Sequence, residues 1–353
     1  MSSAHRDPAL DALLHPFASG LLRWPERVLF LRAREGAALH AQGLRGLQAT
    51  QPFRPEAVRL QRLGVELLDE EALPARQFPL VLVLPPRQRE EARALLARAC
   101  AAVAPGGRVV IAAANDEGGK SRESELKQLA AAVNTASKYH CRVCWTQPDA
   151  GCDSALQAQW AQADAPRWQP CGDVPGGGFR TRPGVFAWDR VDAASALLAA
   201  VLPADLRGRV ADLGAGWGYL SLQVLARCPQ VTALELFEAD ARALALADAN
   251  LAAPARARGV PVRCHWHDVV DGVPGPFDAV VCNPPFHALG RGERPDIGRA
   301  FIAASARALR PRGALWLVAN RHLPYEEALG VGFRQVDVVT QQGGFKIIRA
   351  VTA

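Results

Sequence analysis

Short apolar runs alternate with longer segments of helical periodicity through the second half of the chain. Strands that are buried on both faces appear as continuous apolar runs, and amphipathic helices cover them. The alternation therefore predicts a mainly parallel, doubly wound α/β sheet, and the last two runs predict an antiparallel hairpin. The predicted strands are RVADLG, VTALEL, VPVRCHWHD, FDAVVCN, GALWLVAN, FRQVDVVTQQ and GFKIIRAVTA, and the predicted helices are YLSLQVLARC, EADARALALADANLAA and GRAFIAASARALR.

The first half of the chain repeats part of this pattern. The segment FPLVLVLPP (Phe78–Pro86) matches FDAVVCNPP (Phe277–Pro285) position for position, and each is followed by a helical segment and a turn with proline and glycine. Because a strand, a turn and the next strand agree together, an internal duplication is favoured over a chance resemblance. We therefore predict two tandem α/β domains of the same kind.

The two copies differ at the positions that carry polar chemistry. Leu84 stands where the second copy has Asn283, and Arg87 stands where it has Phe286. The first copy also has no G-x-G in RVLFLRAREG, and it lacks the segment HALGRGERP. We therefore predict that the first domain keeps the scaffold but is degenerate and holds no cofactor.

A stretch rich in Ala, Gln, Pro and Gly separates the two halves. It runs over residues 151–180 and ends in DVPGGGFRTRPG, which is typical of a linker. We place the boundary within it and predict a first domain over residues 1–170 and a second over residues 171–353.

Composition and charge narrow the class of protein. The chain has 353 residues, of which 49% are hydrophobic and 22% charged, so two folded domains are expected. Its formal net charge of +6 comes almost entirely from arginine and slightly favours a partner that carries phosphates. The N-terminus shows no signal pattern and no apolar run is long enough to span a membrane, which predicts a cytoplasmic protein. Cys141 and Cys144 have the CxxC spacing of a zinc site, but no second cysteine pair or histidine set completes the four ligands, so no metal site is expected.

A glycine-rich turn follows the strand RVADLG. It contains Asp212, Gly214, Gly216 and Gly218 at a strand-to-helix junction, where glycine lets the backbone approach a ligand closely. The spacing differs from the dinucleotide pattern G-x-G-x-x-G, and the leading acid opposes a pyrophosphate. A cofactor with a positively charged amino group fits better, and S-adenosylmethionine has one.

Two further acids are predicted to follow the next strands. We expect Glu235 to end the second strand, where a carboxylate accepts both ribose hydroxyls, and Asp268 to end the third and accept the adenine amine. Phe237 and Trp266 are candidate ring contacts. Each acid alone is compatible with a solvated strand end, whereas three at successive strand ends favour one pocket.

The motif Asn283-Pro284-Pro285-Phe286 follows the fourth strand of the second domain. The Asn283 amide oxygen and the Pro284 carbonyl are placed to accept hydrogen bonds from the two N–H groups of a planar amine. The two prolines hold those acceptors in place. Phe286 offers a face on which an unstacked base can lie. Catalysis would then be mainly alignment for in-line methyl transfer. Guanine N2, adenine N6 and a protein glutamine amide all remain compatible with the motif.

Several motifs together resemble a known family. NPPFH, PGVFAWDRVDAASALL, VANRHLPY and GGFKIIRA resemble the bacterial small-subunit (16S) rRNA guanine-N2 methyltransferase family, the C-type enzymes, and their large-subunit relatives. NDEGGKS (Asn115–Ser121) resembles a motif in the degenerate first domain of that family. The resemblance implies two tandem Rossmann-like class I methyltransferase domains, each a mainly parallel seven-stranded sheet with an antiparallel C-terminal hairpin, the first being degenerate.

The resemblance also implies the reaction and its residues. The N2 amine of a guanine would be methylated, and Asn283, Pro284 and Phe286 would surround the base. The glycine turn and the acids Asp212, Glu235 and Asp268 would hold S-adenosylmethionine. Three positions depart from the family pattern: Trp217 lies in the glycine turn, Glu235 stands where aspartate is common, and Trp188 lies in a stretch that is usually small and polar.

Basic residues near the motif are candidate RNA ligands. His287, Arg291 and Arg294 follow it, Arg299 lies just beyond, and Lys346 lies on the closing hairpin. Arginines in a glycine-bearing loop favour phosphate contacts, although a solvated loop explains each arginine equally well. The expected partner is ribosomal RNA, a small subunit or an assembly intermediate, bound by a monomer. A large-subunit RNA enzyme and a non-catalytic RNA-binding assembly protein are the alternatives, and the modified nucleotide is left open.

Overall fold

The structure, a computed structural model, describes residues 7–285 and 295–353. It divides into two compact units, Met1–Ala165 and Pro166–Ala353. This division falls within the stretch in which the sequence places the boundary, a few residues before the predicted position at 170.

The first unit is an α/β unit built around one sheet. Its elements are α1 (Pro8–Ala18), β1 (Val28–Leu31), α2 (Ala37–Gln42), β2 (Leu47–Thr50), α3 (Arg54–Arg62), β3 (Glu66–Leu67), β4 (Phe78–Val83), α4 (Arg89–Ala102), β5 (Val103–Ala114), α5 (Gly119–Leu129), β6 (Val133–Lys138), β7 (Cys141–Thr146) and α6 (Ser154–Ala161).

The second unit has the same plan and opens with an additional two-stranded sheet. Its elements are β8 (Arg167–Pro170), β9 (Gly178–Thr181), α7 (Ala193–Val201), β10 (Arg207–Leu213), α8 (Tyr219–Arg227), β11 (Gln230–Glu238), α9 (Ala241–Arg258), β12 (Val262–Trp266), β13 (Phe277–Cys282), α10 (Pro295–Ala308), β14 (Leu309–Asn320), α11 (Glu326–Gly332), β15 (Gln335–Gln342) and β16 (Phe345–Val351).

The two seven-stranded sheets have the same strand order. In the first unit the order is β3-β2-β1-β4-β5-β7-β6, and in the second it is β12-β11-β10-β13-β14-β16-β15. In both, five strands are parallel, and the last two form an antiparallel pair beside them. The predicted tandem fold is therefore confirmed, and β4 and β13 occupy equivalent central positions.

Alternation along the central strands forms a core on each face of the second sheet. In β10 and β11, Val210, Leu234 and Leu236 pack on one face, whereas Leu213 and Phe237 pack on the other. Successive side chains of a strand point to opposite faces, so strands covered by helices on both sides are apolar throughout. This explains the continuous apolar runs seen in the sequence.

The stretch predicted as a linker is more ordered than its composition indicates. It contains α6 and the strands β8 and β9, which pair antiparallel. The ring of Phe179 in β9 is fully buried and stacks on Trp217, with ring centroids 3.8 Å apart. Packing within the second unit therefore orders the β8–β9 part of this segment, whose glycines and prolines predict only a turn.

Two other expectations concern membranes and metals. No helix in the described part of the chain is long and apolar enough to cross a membrane. Within residues 7–285 and 295–353, no group of three or more His, Cys, Asp and Glu side chains is arranged to hold a metal ion. Burial raises the pKa of Cys141 to about 11 and that of Cys144 to about 12, so both thiols remain protonated at neutral pH.

Candidate active site

A pocket lies where the connections of the second sheet change direction. β10 is flanked by β11 on one side and β13 on the other, and ligands of doubly wound sheets bind at such a point, beyond the carboxyl ends of the strands. The pocket is lined by the turn Gly214–Trp217 after β10, by Asn283 after β13, by Phe186 and Asp192 from the segment that leads into α7, and by Ser195 from the first turn of α7.

The glycine turn is held in a fixed shape by β11. The Gly214 N–H donates to the Phe237 carbonyl at 2.8 Å, and the Gly216 N–H donates to Glu238 Oε2 at 2.8 Å. Gly214, Gly216 and Gly218 all have positive φ, which glycine adopts without strain. A Cβ on Gly216 would point into open space, so this glycine leaves room next to the pocket.

Trp217 does not obstruct the pocket, although its size departs from the family pattern. Its ring is buried, and its Nε1–H donates to the Ala187 carbonyl at 3.2 Å. The ring therefore holds the backbone at Ala187 through this hydrogen bond and stacks on Phe179.

Asp212 lies beneath the glycine turn, fully buried. Its Oδ2 accepts hydrogen bonds from the Ser221 N–H at 3.1 Å and the Ser221 hydroxyl at 2.7 Å. Its Oδ1 is buried and has no hydrogen-bond partner among the described residues. Burial raises the pKa of Asp212 to about 7, against the two bonds from Ser221, which lower it. A cation at the turn would stabilise the ionised carboxylate, so the site fits a cationic ligand.

The raised pKa predicts how stability depends on pH. An aspartate in the unfolded chain has a pKa near 3.9. Since the folded chain binds this proton more tightly, the contribution of Asp212 to unfolding free energy is greatest below about pH 4 and is lost as the pH rises through about 7. We expect Asp212→Asn to lose less thermal stability than the parent between about pH 5 and 8, measured as Tm by circular dichroism. Equal losses in the two proteins would contradict this assignment.

Glu235 does not end the second strand, which corrects its predicted position. β11 continues to Glu238, and Glu235 lies within it. The Glu235 carboxylate accepts from Arg209 Nη2 at 2.7 Å and contacts His265 Nε2 at 2.9 Å. Burial raises the pKa of Glu235, but the hydrogen bonds from Arg209 and His265 together lower it by more. The net shift of the pKa is therefore downward. Glu235 is thus an internal ion-pair partner.

Glu238 occupies the position that the sequence assigned to Glu235. Its Oε2 accepts from the Gly216 N–H and its Oε1 accepts from the Asp240 N–H at 2.8 Å. Burial is the main cause that raises its pKa. A carboxylate oxygen has more than one lone pair, so these oxygens retain capacity to accept ribose hydroxyls.

The remaining predicted cofactor residues are placed differently. The ring of Phe237 is buried in the core between His265, at 4.5 Å, and Phe277, at 6.1 Å, which corrects its prediction as a ring at the pocket. Asp268 follows β12 and caps a short helical turn, with Oδ1 accepting from the Val270 N–H at 3.0 Å. Its second oxygen is compatible with the predicted adenine contact. The Trp266 indole donates to the Ala239 carbonyl at 2.8 Å.

Asn283 follows β13 directly and faces the pocket. Its Nδ2 donates to Asp192 Oδ2 at 3.0 Å and to Ser195 Oγ at 2.8 Å. Its Oδ1 is buried and accepts no hydrogen bond from any described residue. Pro284 is buried and Pro285 exposed. Phe286 lies outside the described residues.

The candidate RNA ligands separate into two groups. His287, Arg291 and Arg294 lie outside the described residues, whereas Arg299 is exposed on α10. Lys346 is buried, with 5% of its surface exposed, and its Nζ donates to the Leu323 carbonyl at 2.9 Å and to Glu326 Oε1 at 2.7 Å. The prediction that Lys346 faces substrate or solvent is therefore corrected: it supports the loop after β14.

Sequence reasoning missed four residues of the pocket. Phe186, Asp192, Ser195 and Glu238 were not among the predicted site residues, although three of them line the pocket and the fourth binds its turn. A signal existed for Asp192, because an Asp directly before an apolar helical run indicates a helix N-terminus. Phe186 carries no such pattern, and its 67% exposure is visible only in the structure.

Fold and site together define a Rossmann-like methyltransferase. The sequence matches the family description "Methyltransferase small domain" over residues 176–349 and "Methyltransferase small domain N-terminal" over residues 59–163. Ribosomal RNA small subunit methyltransferase C of Salmonella paratyphi A is 30% identical over 75% of this chain and 73% of its own length, and that of Psychromonas ingrahamii is 28% identical over 78% and 76%.

A solved structure agrees with the fold of the whole chain. The T. thermophilus 16S rRNA N2 methyltransferase RsmC, in complex with AdoMet and guanosine, is 23% identical and superposes with a TM-score of 0.82, covering 99% of this chain and 93% of that one. The chain belongs to the ribosomal RNA small subunit methyltransferase C family. The resemblance stated from its motifs is therefore confirmed.

Proposed function

We propose that the chain transfers a methyl group from S-adenosylmethionine to the N2 amine of a guanine in 16S ribosomal RNA. The observation that carries this proposal is the side chain of Asn283, a residue that lines the pocket beside the glycine turn and whose buried Oδ1 has no hydrogen-bond partner among the described residues. The relatives named ribosomal RNA small subunit methyltransferase C support the substrate, and the T. thermophilus structure with AdoMet and guanosine supports the pair of ligands.

The residues present fit the cofactor. The open space at Gly216 and the unpartnered Oδ1 of Asp212 suit a compact ligand with a cationic amino group. Glu238 is placed to accept ribose hydroxyls and Asp268 to accept the adenine amine. S-adenosylmethionine supplies an electrophilic methyl group when bound there.

The chain itself contributes acceptors for the substrate amine. A guanine N2 lone pair is delocalised into the ring, which makes the amine a weak nucleophile. When Asn283 Oδ1 and the Pro284 carbonyl each accept a hydrogen bond from one N–H group of the guanine amine, the nitrogen is held with its lone pair toward the methyl group. The two prolines restrict the backbone, so the acceptors need little reorganisation. This alignment involves no covalent bond to the enzyme.

The rim of the pocket suits a nucleic acid. Phe186 lines the pocket and exposes 67% of its surface, which offers a stacking face for a base. Arg190, on the same segment, and Arg321, after β14, are both exposed. With the net charge of +6, these side chains favour a phosphate-bearing substrate over a free protein amide. Such a substrate also implies a cytoplasmic location.

Labelled methyl transfer tests the function directly. Small subunits, large subunits and protein-free 16S RNA are prepared from an otherwise identical strain that lacks this gene, and each is incubated with the protein and tritium-labelled S-adenosylmethionine. We expect label in 16S RNA, in a single guanine, and mass spectrometry of the nucleosides to give N2-methylguanosine. Label in large-subunit RNA or in methyladenosine would assign one of the alternative substrates, and cofactor binding without transfer to any RNA would contradict the proposal.

A further inference from the structure

We propose that Asp192 and Ser195 are positioning residues that fix the orientation of the Asn283 amide, so that its oxygen and never its nitrogen faces the substrate amine. This inference rests on the proposed function, because it concerns how the acceptor of that amine is presented. Both residues lie about ninety positions before Asn283 in the chain, yet both contact its side chain.

The hydrogen bonds determine which way the amide is turned. Asn283 Nδ2 has two N–H bonds, of which one reaches Asp192 Oδ2 at 3.0 Å and the other Ser195 Oγ at 2.8 Å. An ionised carboxylate accepts hydrogen bonds and cannot donate one. Only the nitrogen of the amide can therefore face Asp192, and the oxygen is left on the other side of the amide, with no hydrogen-bond partner among the described residues.

This orientation decides whether the site can bind an amine. The oxygen and nitrogen ends of a carboxamide have nearly the same size, so shape alone does not distinguish two states related by a half turn. If the Asn283 nitrogen were turned toward the substrate, its N–H groups would face the N–H groups of the substrate amine, and no hydrogen bond would form between them. Asp192 and Ser195 exclude that state before any substrate arrives.

The same carboxylate oxygen also begins a helix. Asp192 is the N-cap of α7, and its Oδ2 accepts the Ser195 N–H at 2.8 Å in addition to the Asn283 amide. The helix start therefore fixes the positions of both acceptors, and Ser195 presents its hydroxyl from the first turn. A capped helix end is a rigid support, as a precisely oriented acceptor requires.

The first unit supplies an internal comparison. Its equivalent helix, α1, also begins after an aspartate, Asp7, and Leu10 stands three residues on, where Ser195 stands after Asp192. Leu84 follows β4 as Asn283 follows β13, and Leu10 and Leu84 belong to one apolar cluster. Asp7 pairs instead with Arg34 at 2.8 Å. The copy without the amide thus also lacks the hydroxyl that would hold it, as expected if the two residues act together.

Three substitutions test the proposal. Asp192→Asn keeps a good helix N-cap but offers the amide a donor as well as an acceptor, so both orientations of Asn283 become available. Ser195→Ala removes one acceptor and retains a strong helix former. The matched control is Asp153→Asn, which changes the N-cap aspartate of α6 in the first unit, where Oδ1 accepts the Leu156 N–H at 2.9 Å. Thermal unfolding of each variant establishes that it is folded.

Methyl transfer by the full-length protein to its RNA substrate is then measured as kcat and KM. Each substitution is tested by itself and in combination with Asn283→Ala. We expect Asp192→Asn to lower kcat about 10- to 100-fold and Ser195→Ala about 3- to 10-fold, with the KM for S-adenosylmethionine nearly unchanged and no effect of Asp153→Asn. In the Asn283→Ala background neither substitution should lower kcat further, because no amide remains to be oriented.

The outcomes separate this proposal from the function on which it rests. If the parent protein transfers no methyl group to RNA, the proposed function is wrong. If the parent is active and Asp192→Asn retains its kcat, or if the factor lost is the same with and without Asn283, the positioning role is overturned. Should Asp192→Asn fail to fold, Ser195→Ala in the same cycle decides between these results.

Discussion

Asn283→Ala is expected to reduce methyl transfer about 100- to 1,000-fold while S-adenosylmethionine binds with nearly unchanged affinity. The substitution removes the acceptor Oδ1, which we assign to the substrate amine, and leaves the glycine turn and Glu238 in place. The turn is held by the Phe237 carbonyl and the Glu238 carboxylate, whereas the Asn283 side chain hydrogen-bonds to Asp192 and Ser195. Single-turnover transfer of labelled methyl groups and calorimetric titration with the cofactor measure the two quantities separately.

Leu84→Ala is the matched control for that experiment. Leu84 holds the equivalent position in the first unit and is buried in an apolar cluster. Truncating it creates a cavity and is expected to cost about 2–5 kcal/mol of unfolding free energy. The kcat of the folded fraction should not change. An Asn283→Ala protein that lost cofactor affinity and methyl transfer by the same factor would contradict the role assigned to the amide oxygen.

Glu238→Gln is expected to weaken S-adenosylmethionine binding about 10- to 100-fold, whereas Glu235→Gln should leave it nearly unchanged. Glu238 fixes the Gly216 N–H and is placed at the carboxyl end of β11, so the substitution affects both the turn and the proposed ribose contact. Glu235, in the same strand as Glu238, is already bound by Arg209 of β10 and His265 of β12. Calorimetric titration of both variants with the cofactor compares the same chemical change three residues apart.

The opposite result for Glu235→Gln and Glu238→Gln would contradict the role assigned to Glu238. Loss of affinity in Glu235→Gln with none in Glu238→Gln would restore the assignment made from the sequence. Because Arg209 is 42% exposed at its side chain, breaking its pair with Glu235 should lower stability only modestly. A large drop in the Tm of Glu235→Gln would show that this pair contributes more to the fold than its exposure indicates.

The sequence predicts the fold well because apolar runs and strand-to-helix alternation record burial on both faces of a sheet. Every predicted strand and helix of the second half is present, and the match between Phe78–Pro86 and Phe277–Pro285 corresponds to equivalent central strands, β4 and β13. The ends of strands are less well recorded. β11 continues to Glu238, because Phe237 is an apolar residue that packs in the core, and an end placed before it made Glu235 rather than Glu238 the acid at the end of the strand.

The site was predicted where residues are close in the chain and missed where they meet only in space. Asn283 and the glycine turn carry local motifs. Asp192 and Ser195 reach Asn283 across about ninety residues, and Lys346 is turned inward by Leu323 and Glu326, which no local pattern records. Such contacts depend on how α7 and the β14 loop pack, so residue type and spacing alone do not reveal them.

The apolar cluster that contains Leu10 and Leu84 fills, in the first unit, the positions at which the second unit has Ser195 and Asn283. Leu84→Asn alone would bury a carboxamide among apolar side chains, and a buried amide without partners costs several kcal/mol. Serine at Leu10 would also be required, together with release of Asp7 from Arg34. Each change made singly lowers stability before any catalytic benefit exists. We therefore expect single substitutions toward the residues of the second unit to destabilise the first unit, because hydrocarbon side chains fill the space that polar groups occupy in the second.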